Sequence, residues 1–428
     1  MEKNMELNNT YDNNPRYGKR IFASNVEVSN DTRISGCNNN DIICGNSGSG
    51  KTGGYVIPNI QNIDGSLVVS DTKGQLERRF KTELTAKGYD VYTLDLVNPM
   101  NSCGYNPMAF IRQYSDGTYR EQDILTLARL LSPAKDQREP IWDLSAASYM
   151  AFLIAYCLET EPEKNKNLIR VGELHRQFAQ PNGDIQFLEW IHNNPDSFAS
   201  KKYYEIMVNR TADKMFSSIM GFVNVNIEPY SFNEARNIFA DSCSFDIREL
   251  GRKKTVLFLN VSDTDRTFDQ LVNIFYTQAL HELCSEADSN SDGRLKVPVR
   301  IIMDDFAASA VIPDFDKIIS VIRSRDIYVS LIIQSLSQLE SMYTPAESRT
   351  IINNCDHILY FGSQDLETAD YIAARAGRTP EAILSMPRNK AYLITSGEKA
   401  ALVDKIIPYS TVADYKAAFE HPSAESDK

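Results

Sequence analysis

One segment of the sequence has the residue types and spacing needed to bind a phosphate chain. Residues 45 to 52 read GNSGSGKT, a complete G-x-x-x-x-G-K-[ST] phosphate loop. Its glycines let backbone N–H groups approach phosphate, and the following helix presents a partly positive N-terminus. Lys51 adds a charge and Thr52 a ligand for Mg²⁺. A chance glycine-serine turn is the alternative. The motif predicts that a nucleoside triphosphate binds with Mg²⁺ at Gly45, Ser47, Gly48, Ser49, Gly50, Lys51 and Thr52.

A phosphate loop needs a second acidic site that holds Mg²⁺ and orients the attacking water. Residues 299 to 306, VRIIMDDF, have the form of a buried strand that ends in two carboxylates. We predict that Asp304 holds the Mg²⁺ water shell and that Asp305 polarises the nucleophilic water. An Asp pair after a strand is often only a turn or a helix cap, but the upstream phosphate loop favours the metal site.

Two further polar positions flank the apolar segment 328–333. Gln334 follows this segment and is predicted to sense the γ-phosphate. Arg323 and Arg325 precede it, and an arginine at a subunit edge can reach a neighbour's γ-phosphate and stabilise transition-state charge. A solvated arginine pair or a local salt bridge explains either residue equally well.

Short β-branched segments recur along the chain, and several are apolar without alternation. This pattern is typical of strands that are covered on both faces by helices, so it predicts an α/β sheet. The turn from Asp71 to Gly74 would place polar groups at the carboxyl edge of that sheet, where ligands bind; an ordinary strand-to-helix loop is the alternative. The predicted strands are residues 41–44, 66–70, 91–94, 255–261, 299–303, 328–333, 357–361 and 391–394.

The region from 116 to 245 differs because its apolar residues keep helical spacing, as in Ile124, Leu127, Ala128 and Leu131. We interpret it as an all-helical domain inserted into the nucleotide-binding domain. Both chain ends are polar and are expected to be mobile. The predicted organisation is a disordered N-terminus (1–15), a nucleotide-binding domain (16–115 and 246–415), the helical insertion (116–245) and a mobile tail (416–428).

Composition argues against several classes of protein, namely membrane-spanning, secreted and disulfide-rich proteins. The longest strongly apolar segment, 149–158, is about half the ~20 residues of a membrane helix, and the N-terminus lacks a signal-peptide segment, which predicts a cytoplasmic protein. The seven cysteines include no C-x-x-C pair, which argues against a disulfide framework and a thiolate zinc site.

The net charge of −12 opposes general attraction to nucleic acid. DNA contact would need a local basic surface, such as six copies of Lys201–Lys202 or of 252–254 around a pore, although a solvated surface turn is the better explanation for each cluster.

Several motifs in one order give the chain a specific family resemblance. After the phosphate loop these are YVIPN, SLVVSDTKGQL, IIMDDFA, IPDFDKIISVIRSR, LIIQSLSQLE, INNCDHILYFGSQDLETADYIA and Ala376-Gly377. Over most of residues 40 to 410 the sequence resembles the coupling ATPases of bacterial type IV secretion and conjugation systems, in a form lacking the N-terminal transmembrane region. The resemblance implies a RecA-like P-loop NTPase with a mostly parallel sheet and an inserted all-alpha domain.

The resemblance also implies a function. Such proteins form homo-hexameric rings that hydrolyse ATP with Mg²⁺ and bring relaxase-bound single-stranded DNA or protein substrates to a secretion channel. A membrane-anchored partner would recruit this chain to the inner face of the membrane. By position, Asp304 and Asp305 would be the Walker B pair, Gln334 the sensor and Arg323 the finger, with Arg325 in reserve; Asp305 stands where the broader family has Glu. The alternatives are a nucleotide-gated docking adaptor with little hydrolysis and a RecA-like DNA translocase outside conjugation.

Overall fold

The computed structural model describes residues 17–72, 74–133, 141–210, 213–239, 245–304, 306 and 311–407. The predicted termini, 1–15 and 416–428, lie outside these residues, as do Lys73 and Asp305. Within the described part, the strands are β1 (Lys19–Ala23), β2 (Val26–Ser29), β3 (Asp41–Cys44), β4 (Ser66–Asp71), β5 (Asp90–Asp95), β6 (Thr255–Asn260), β7 (Val299–Met303), β8 (Ile327–Ile333), β9 (His357–Tyr360), β10 (Lys390–Thr395) and β11 (Ala401–Asp404).

Nine of these strands form one sheet in the order β11-β10-β9-β3-β8-β7-β4-β6-β5. Strands β9, β3, β8, β7 and β4 pair in parallel with one another in that order, whereas β10 pairs antiparallel with both β9 and β11. The carboxyl ends of the five parallel strands therefore share one edge. The predicted α/β class with a mostly parallel sheet is confirmed, and all eight predicted strands are present.

Burial explains why these segments form strands. All residues of β3, β4, β6, β8 and β9 are buried, as expected where helices cover both faces of a sheet. In the centre of the sheet, β3 pairs in parallel with β8 and with β9, and Cys44 lies opposite Ile333 on β8 and opposite Tyr360 on β9. This register places the residues that follow the three strands side by side.

The helices among the described residues vary from one turn to twenty residues. They are α1 (Thr32–Ser35), α2 (Ile57–Gln61), α3 (Gln75–Ala86), α4 (Glu121–Leu131), α5 (Ile141–Thr160), α6 (Leu168–Phe178), α7 (Ile185–Asn193), α8 (Phe198–Arg210), α9 (Asp213–Ile227), α10 (Glu249–Arg252), α11 (Asp269–Asp288), α12 (Phe315–Val321), α13 (Leu336–Met342), α14 (Pro345–Asn353), α15 (Leu366–Ala376) and α16 (Pro380–Leu384). A π-helical turn, Thr52–Val56, precedes α2.

The chain divides into two compact units. The first contains residues 1–91, 248–258 and 283–428, and the second contains 92–247 and 259–282. The predicted helical insertion, 116–245, lies within the second unit, where α4 to α9 are found. The domain boundaries that we predicted from the sequence stay a prediction.

Aromatic packing forms much of the core of the second unit. Helix α5 is its central element, and the rings of Tyr149 and Phe152 on α5 contact those of Phe178 on α6. Within the described residues, α5 is also the one helix long and apolar enough to cross a membrane, but 67% of its apolar window is buried inside the protein. The same length and composition occur in the core helix of a soluble protein, so they are weak support for a membrane span.

The hairpin β1–β2 was not predicted from the sequence. Its strands pair antiparallel outside the main sheet, and the Ser24 N–H donates to the carbonyl of Asp404 at the end of β11 (2.9 Å). Arg20 of β1 is buried to 1% exposure, which is unusual for arginine and requires a compensating charge.

Candidate functional site

The phosphate loop begins where β3 ends and is held by the two neighbouring strands. The Gly45 N–H donates to the carbonyl of Ile333 after β8 (3.1 Å), and the Asn46 N–H donates to that of Gly362 after β9 (2.9 Å). A Cβ on Gly45 would come within 2.7 Å of the Phe361 Cβ, so this position requires glycine. The start of the loop is therefore fixed by residues about 300 positions away in sequence.

Two other glycines give the loop its shape. Gly48 and Gly50 have φ angles of +74° and +91°, a region that side-chain-bearing residues rarely adopt. The Lys51 ammonium donates to the carbonyls of Gly45 (2.5 Å) and Asn46 (3.1 Å), at the opposite end of the loop. The predicted lysine is thus positioned across the loop, where phosphate oxygens can replace its carbonyl partners.

The helix that follows the loop starts as a wide turn. The Ile57 N–H bonds to the Thr52 carbonyl, five residues earlier, which defines the π-helical turn Thr52–Val56. Pro58 lies in the next turn and has no N–H, so it donates no hydrogen bond to the turn before it. The partly positive N-terminus of this helix lies directly after the loop, as anion binding requires.

The predicted Mg²⁺ ligands are in direct contact. The Thr52 hydroxyl donates to Asp304 Oδ2 (2.9 Å), and Asp304 follows β7 immediately. A hydroxyl and a carboxylate are the hard oxygen donors that Mg²⁺ prefers, and it usually takes its remaining ligands from water and phosphate. Among the described residues no group of three or more His, Cys, Asp or Glu side chains would form a metal cage. The pair Thr52–Asp304 therefore fits a magnesium ion that arrives with a nucleotide.

A serine that we did not single out from the sequence anchors Asp304. The Asp304 N–H donates to Ser70 Oγ (2.6 Å), and the Ser70 hydroxyl donates to the Asp304 carbonyl (3.0 Å). Ser70 lies near the end of β4, beside β7 in the sheet. This double contact fixes the backbone that carries the Mg²⁺ ligand. The signal for it was present in the motif SLVVSD, but its partner is known only from the sheet order.

The turn from Asp71 to Gly74 has a local structural role. Asp71 accepts hydrogen bonds from the N–H groups of Leu76 (2.7 Å) and Glu77 (3.2 Å), the first turn of α3. A carboxylate there satisfies amides that have no partner within the helix. These contacts match the alternative of an ordinary strand-to-helix loop. Lys73 lies outside the described residues.

Gln334 lies beside the phosphate loop. It follows β8 directly, and its N–H donates to Gln338 Oε1 (2.8 Å) while its carbonyl accepts from the thiol of Cys44 (3.7 Å). The role of γ-phosphate sensor stays a prediction, as does that of Asp305, which is outside the described residues.

The two predicted arginine-finger candidates differ in their surroundings. Both precede β8, so they lie at its amino end, whereas the phosphate loop is at the carboxyl edge, about 20 Å away along a seven-residue strand. Arg325 makes a two-point ion pair with Asp288 (2.8 and 3.1 Å). Arg323 is exposed, and no such partner is found for its guanidinium in the part of the chain that the structure describes. Neither is placed to act on the loop of its own subunit, and the role of Arg323 as a finger for a neighbouring subunit, with Arg325 in reserve, stays a prediction.

Both predicted basic clusters are neutralised locally. Lys201 pairs with Glu121 (3.7 Å) and Lys202 with Glu205 (2.6 Å). The cluster 252–254 pairs in the same way with the carboxylates of Glu249, Glu286, Asp90 and Asp64. Since each cation has an acidic partner, either cluster would offer little net positive charge to DNA.

A buried charge cluster lies at the opposite end of β3 from the loop. Asp41, fully buried, accepts hydrogen bonds from the Tyr55 hydroxyl (2.6 Å) and from Arg300 Nη1 (3.0 Å), and it lies 3.3 Å from Arg20 Nε. Burial lowers the pKa of Arg20, and the nearby Asp41 carboxylate opposes that effect. Tyr55 belongs to the π-helical turn after the loop. The cluster therefore ties that turn and the hairpin β1–β2 to the base of the sheet.

Comparison with known proteins places this geometry in a family. The sequence model described as "Type IV secretory system Conjugative DNA transfer" matches residues 15–380. The chain is 24% identical over 356 residues to the "Probable conjugal transfer protein TraG" of Sinorhizobium fredii, covering 81% of this chain and 54% of that protein. It is 22% identical over 334 residues to the protein VirD4 of Agrobacterium fabrum, covering 77% and 48%. The chain spans about half the length of these curated relatives.

Solved structures show the same fold. The plasmid coupling protein TrwB in complex with ADP and Mg²⁺ superposes with a TM-score of 0.64 at 15% identity, covering 89% of this chain and 88% of TrwB. VirB4 of Thermoanaerobacter pseudethanolicus superposes less closely, with a TM-score of 0.51 at 11% identity and coverage of 88% and 91%. The chain thus has the RecA-like P-loop fold that the sequence predicts. Because the family model spans most of the sequence, this chain belongs to the type IV secretory system conjugative DNA-transfer family.

Proposed function

We propose that this chain is an ATP-hydrolysing coupling protein that recruits relaxase-bound DNA, or protein substrates, and delivers them to a type IV secretion or conjugation channel. The observation that carries the nucleotide part is the contact of Thr52 with Asp304 beside a complete phosphate loop. Family membership over residues 15–380 supports the transfer part.

In the proposed reaction, the loop N–H groups and Lys51 hold the β- and γ-phosphates. Thr52 and Asp304 would hold a Mg²⁺ ion, which would supply positive charge to offset the charge that develops on the phosphate oxygens. Asp305 orients the attacking water and Gln334 senses the γ-phosphate. The aspartate in place of the longer glutamate sets the carboxylate one methylene farther back, so we expect slow turnover.

The active form in this proposal is a homo-hexamer. Arg323 lies too far from its own phosphate loop to stabilise the transition state there, so it would act on the next subunit. The plasmid coupling protein TrwB shares the fold that would form such a ring. We place the protein in the cytoplasm, where a membrane-anchored partner recruits it to the inner face of the membrane and to the secretion channel.

The decisive experiment measures ATPase rate with and without single-stranded DNA, with particle mass determined on the same sample. We expect hydrolysis in hexamers, stimulation by DNA, and loss of ATP binding in Lys51→Ala, since the loop would lack its phosphate-binding charge. Lys19→Ala, an exposed lysine on β1, is the matched control and should behave like the wild type.

Three outcomes contradict parts of the proposal. Unchanged ATP affinity in a folded Lys51→Ala protein removes the nucleotide site. Binding of ATP by an inactive monomer supports the docking adaptor instead of the motor. Hydrolysis stimulated by DNA without any binding to a relaxase or a channel component supports a translocase that acts outside conjugation.

A further inference from the structure

A second lysine reaches the phosphate loop from the far end of the chain. Lys405 follows β11, and its ammonium donates to the carbonyls of Phe361 (2.8 Å) and Ser49 (3.4 Å). The same nitrogen lies 4.9 Å from the centroid of the Phe361 ring. Ser49 is inside the phosphate loop, and Phe361 packs against its first residue, Gly45. The sequence gives no local hint of this contact, because Lys405 belongs to no motif.

The backbone that carries Lys405 is fixed. Its N–H donates to the carbonyl of Asn389, just before β10 (3.0 Å). The next residue, Ile406, has its carbonyl so close to Gly54 that a Cβ on that glycine would lie 3.2 Å away. The segment therefore packs along the helix that follows the loop, and the Lys405 side chain extends from a well-defined position.

The burial of the Lys405 ammonium is unfavourable for the stability of the fold. Burial lowers its pKa to about 8, and no neighbouring carboxylate offsets that effect among the described residues. Carbonyl groups and a ring face only partly replace the water that the charge has lost. An apolar side chain of similar length would be expected to stabilise the fold, so a stabilising role does not account for this lysine.

A contact at the Ser49 carbonyl affects the direction in which the next N–H group of the loop points. In a trans peptide, the carbonyl oxygen and the following N–H point in opposite directions. Glycines with positive φ lie on both sides of Ser49, so the peptide that joins it to Gly50 has few steric barriers to rotation. Binding of phosphate requires the loop N–H groups to point toward one centre. Because Lys405 holds the Ser49 carbonyl oxygen, the Gly50 N–H points away from Lys405.

We propose that Lys405 is a positioning residue that fixes the Ser49–Gly50 peptide of the phosphate loop in its phosphate-binding orientation. It acts through the loop and does not itself touch the nucleotide. The inference rests on the proposed nucleotide binding and adds to it a contact from the last hairpin of the sheet. The ligand class that it affects is any di- or triphosphate that the loop can hold.

The test uses the full chain and two probes, MgADP and inorganic pyrophosphate, each titrated by calorimetry. Lys405→Met should weaken both by about tenfold or more, the loss expected for one charge-assisted hydrogen bond. Lys405→Arg keeps a charged donor and should stay within about threefold of the wild type. Lys399→Met, an exposed lysine in the turn between β10 and β11, is the control and should leave both affinities unchanged.

Thermal unfolding without nucleotide separates positioning from simple structural support. Lys405→Met should melt at the same temperature as the wild type or higher, because an uncompensated charge is removed. Wild-type affinity in Lys405→Met overturns the inference. A fall in melting temperature that accompanies the loss of affinity also overturns it, since the lysine would then be a structural tie.

Lys51→Ala distinguishes this inference from the proposed function. If the wild type and Lys51→Ala bind MgADP equally, or neither binds it, the nucleotide site itself is wrong and the role of Lys405 falls with it. If Lys51→Ala loses MgADP while Lys405→Met retains it, only the role of Lys405 is refuted.

Discussion

Replacing Asp41 by Asn should destabilise the first unit strongly although it touches no part of the phosphate loop. The substitution keeps the size of the side chain but removes the negative charge that faces Arg20 and Arg300. The side chains of Arg20 and Asp41 are only 1% and 0% exposed, so water cannot solvate the remaining guanidinium. Removing one partner of a buried ion pair costs about 3 to 5 kcal/mol.

An exposed ion pair on the same hairpin sets the scale. Lys19 and Glu27 are 3.1 Å apart, but their side chains are 64% and 50% exposed. Glu27→Gln should therefore change stability by less than about 1 kcal/mol. For Asp41→Asn the expected loss corresponds to a fall in melting temperature of roughly 6 to 20 °C for a unit of this size.

Because the chain forms two compact units, one unfolding curve does not report on one equilibrium. Hydrogen exchange followed by mass spectrometry resolves the two. In Asp41→Asn, amides of β1, β3 and the turn that contains Tyr55 should exchange much faster than in the wild type. Amides of α5, in the second unit, should serve as an internal reference and change little. Equal exchange in Asp41→Asn and Glu27→Gln would refute the assignment of the buried cluster as the tie between hairpin, sheet and loop helix.

Three further predictions concern catalysis, assembly and pH. Asp305→Asn should bind ATP normally but hydrolyse it slowly in a single-turnover assay, because the residue is predicted to orient water; wild-type turnover would make it structural. Arg323→Ala should lower turnover by about 10³-fold, and mixing it with Lys51→Ala subunits should restore some activity, unless turnover occurs in monomers. Burial lowers the pKa of His175 to about 4, so the folded chain resists a proton that the unfolded chain accepts below its pKa of about 6.5. Stability should therefore fall by about 2 kcal/mol between pH 7 and 5 through this group. The loss should be absent in His175→Gln but retained in the control His192→Gln, as measured by urea unfolding followed through the fluorescence of Trp142 and Trp190, which both lie in the second unit.

The parts of the site that the sequence predicted are those whose chemistry is local. The loop glycines, Lys51 and Thr52 are contiguous, and Asp304 ends an apolar segment that is long enough to be recognised as a strand. Their meeting follows from the parallel sheet, because the carboxyl ends of parallel strands share an edge. The contact of Thr52 with Asp304 is the geometric result that this reasoning anticipates.

The unpredicted parts depend on pairings between distant residues. Strand β11 is largely exposed and shows no apolar alternation, and the hairpin β1–β2 is short and contains charged residues. Arg20 looks like a surface residue until its partner Asp41 is known. In each case the residue types fit a surface loop as well as a strand or a buried site. Only the residues that lie next to them in the folded chain determine which of these they form.

These pairings matter most at the phosphate loop itself. The motif specifies which ligand the loop can take, but its shape depends on Ile333, Gly362 and Lys405, which come from three other parts of the chain. Lys51 meanwhile bonds to two carbonyls of its own loop, and phosphate oxygens can replace these acceptors when a nucleotide binds. A charged phosphate oxygen is a stronger acceptor than a carbonyl oxygen, so each such replacement favours binding. The affinity for the nucleotide then depends on how well the surrounding residues keep the Ser49–Gly50 peptide from rotating while Lys51 changes its acceptors.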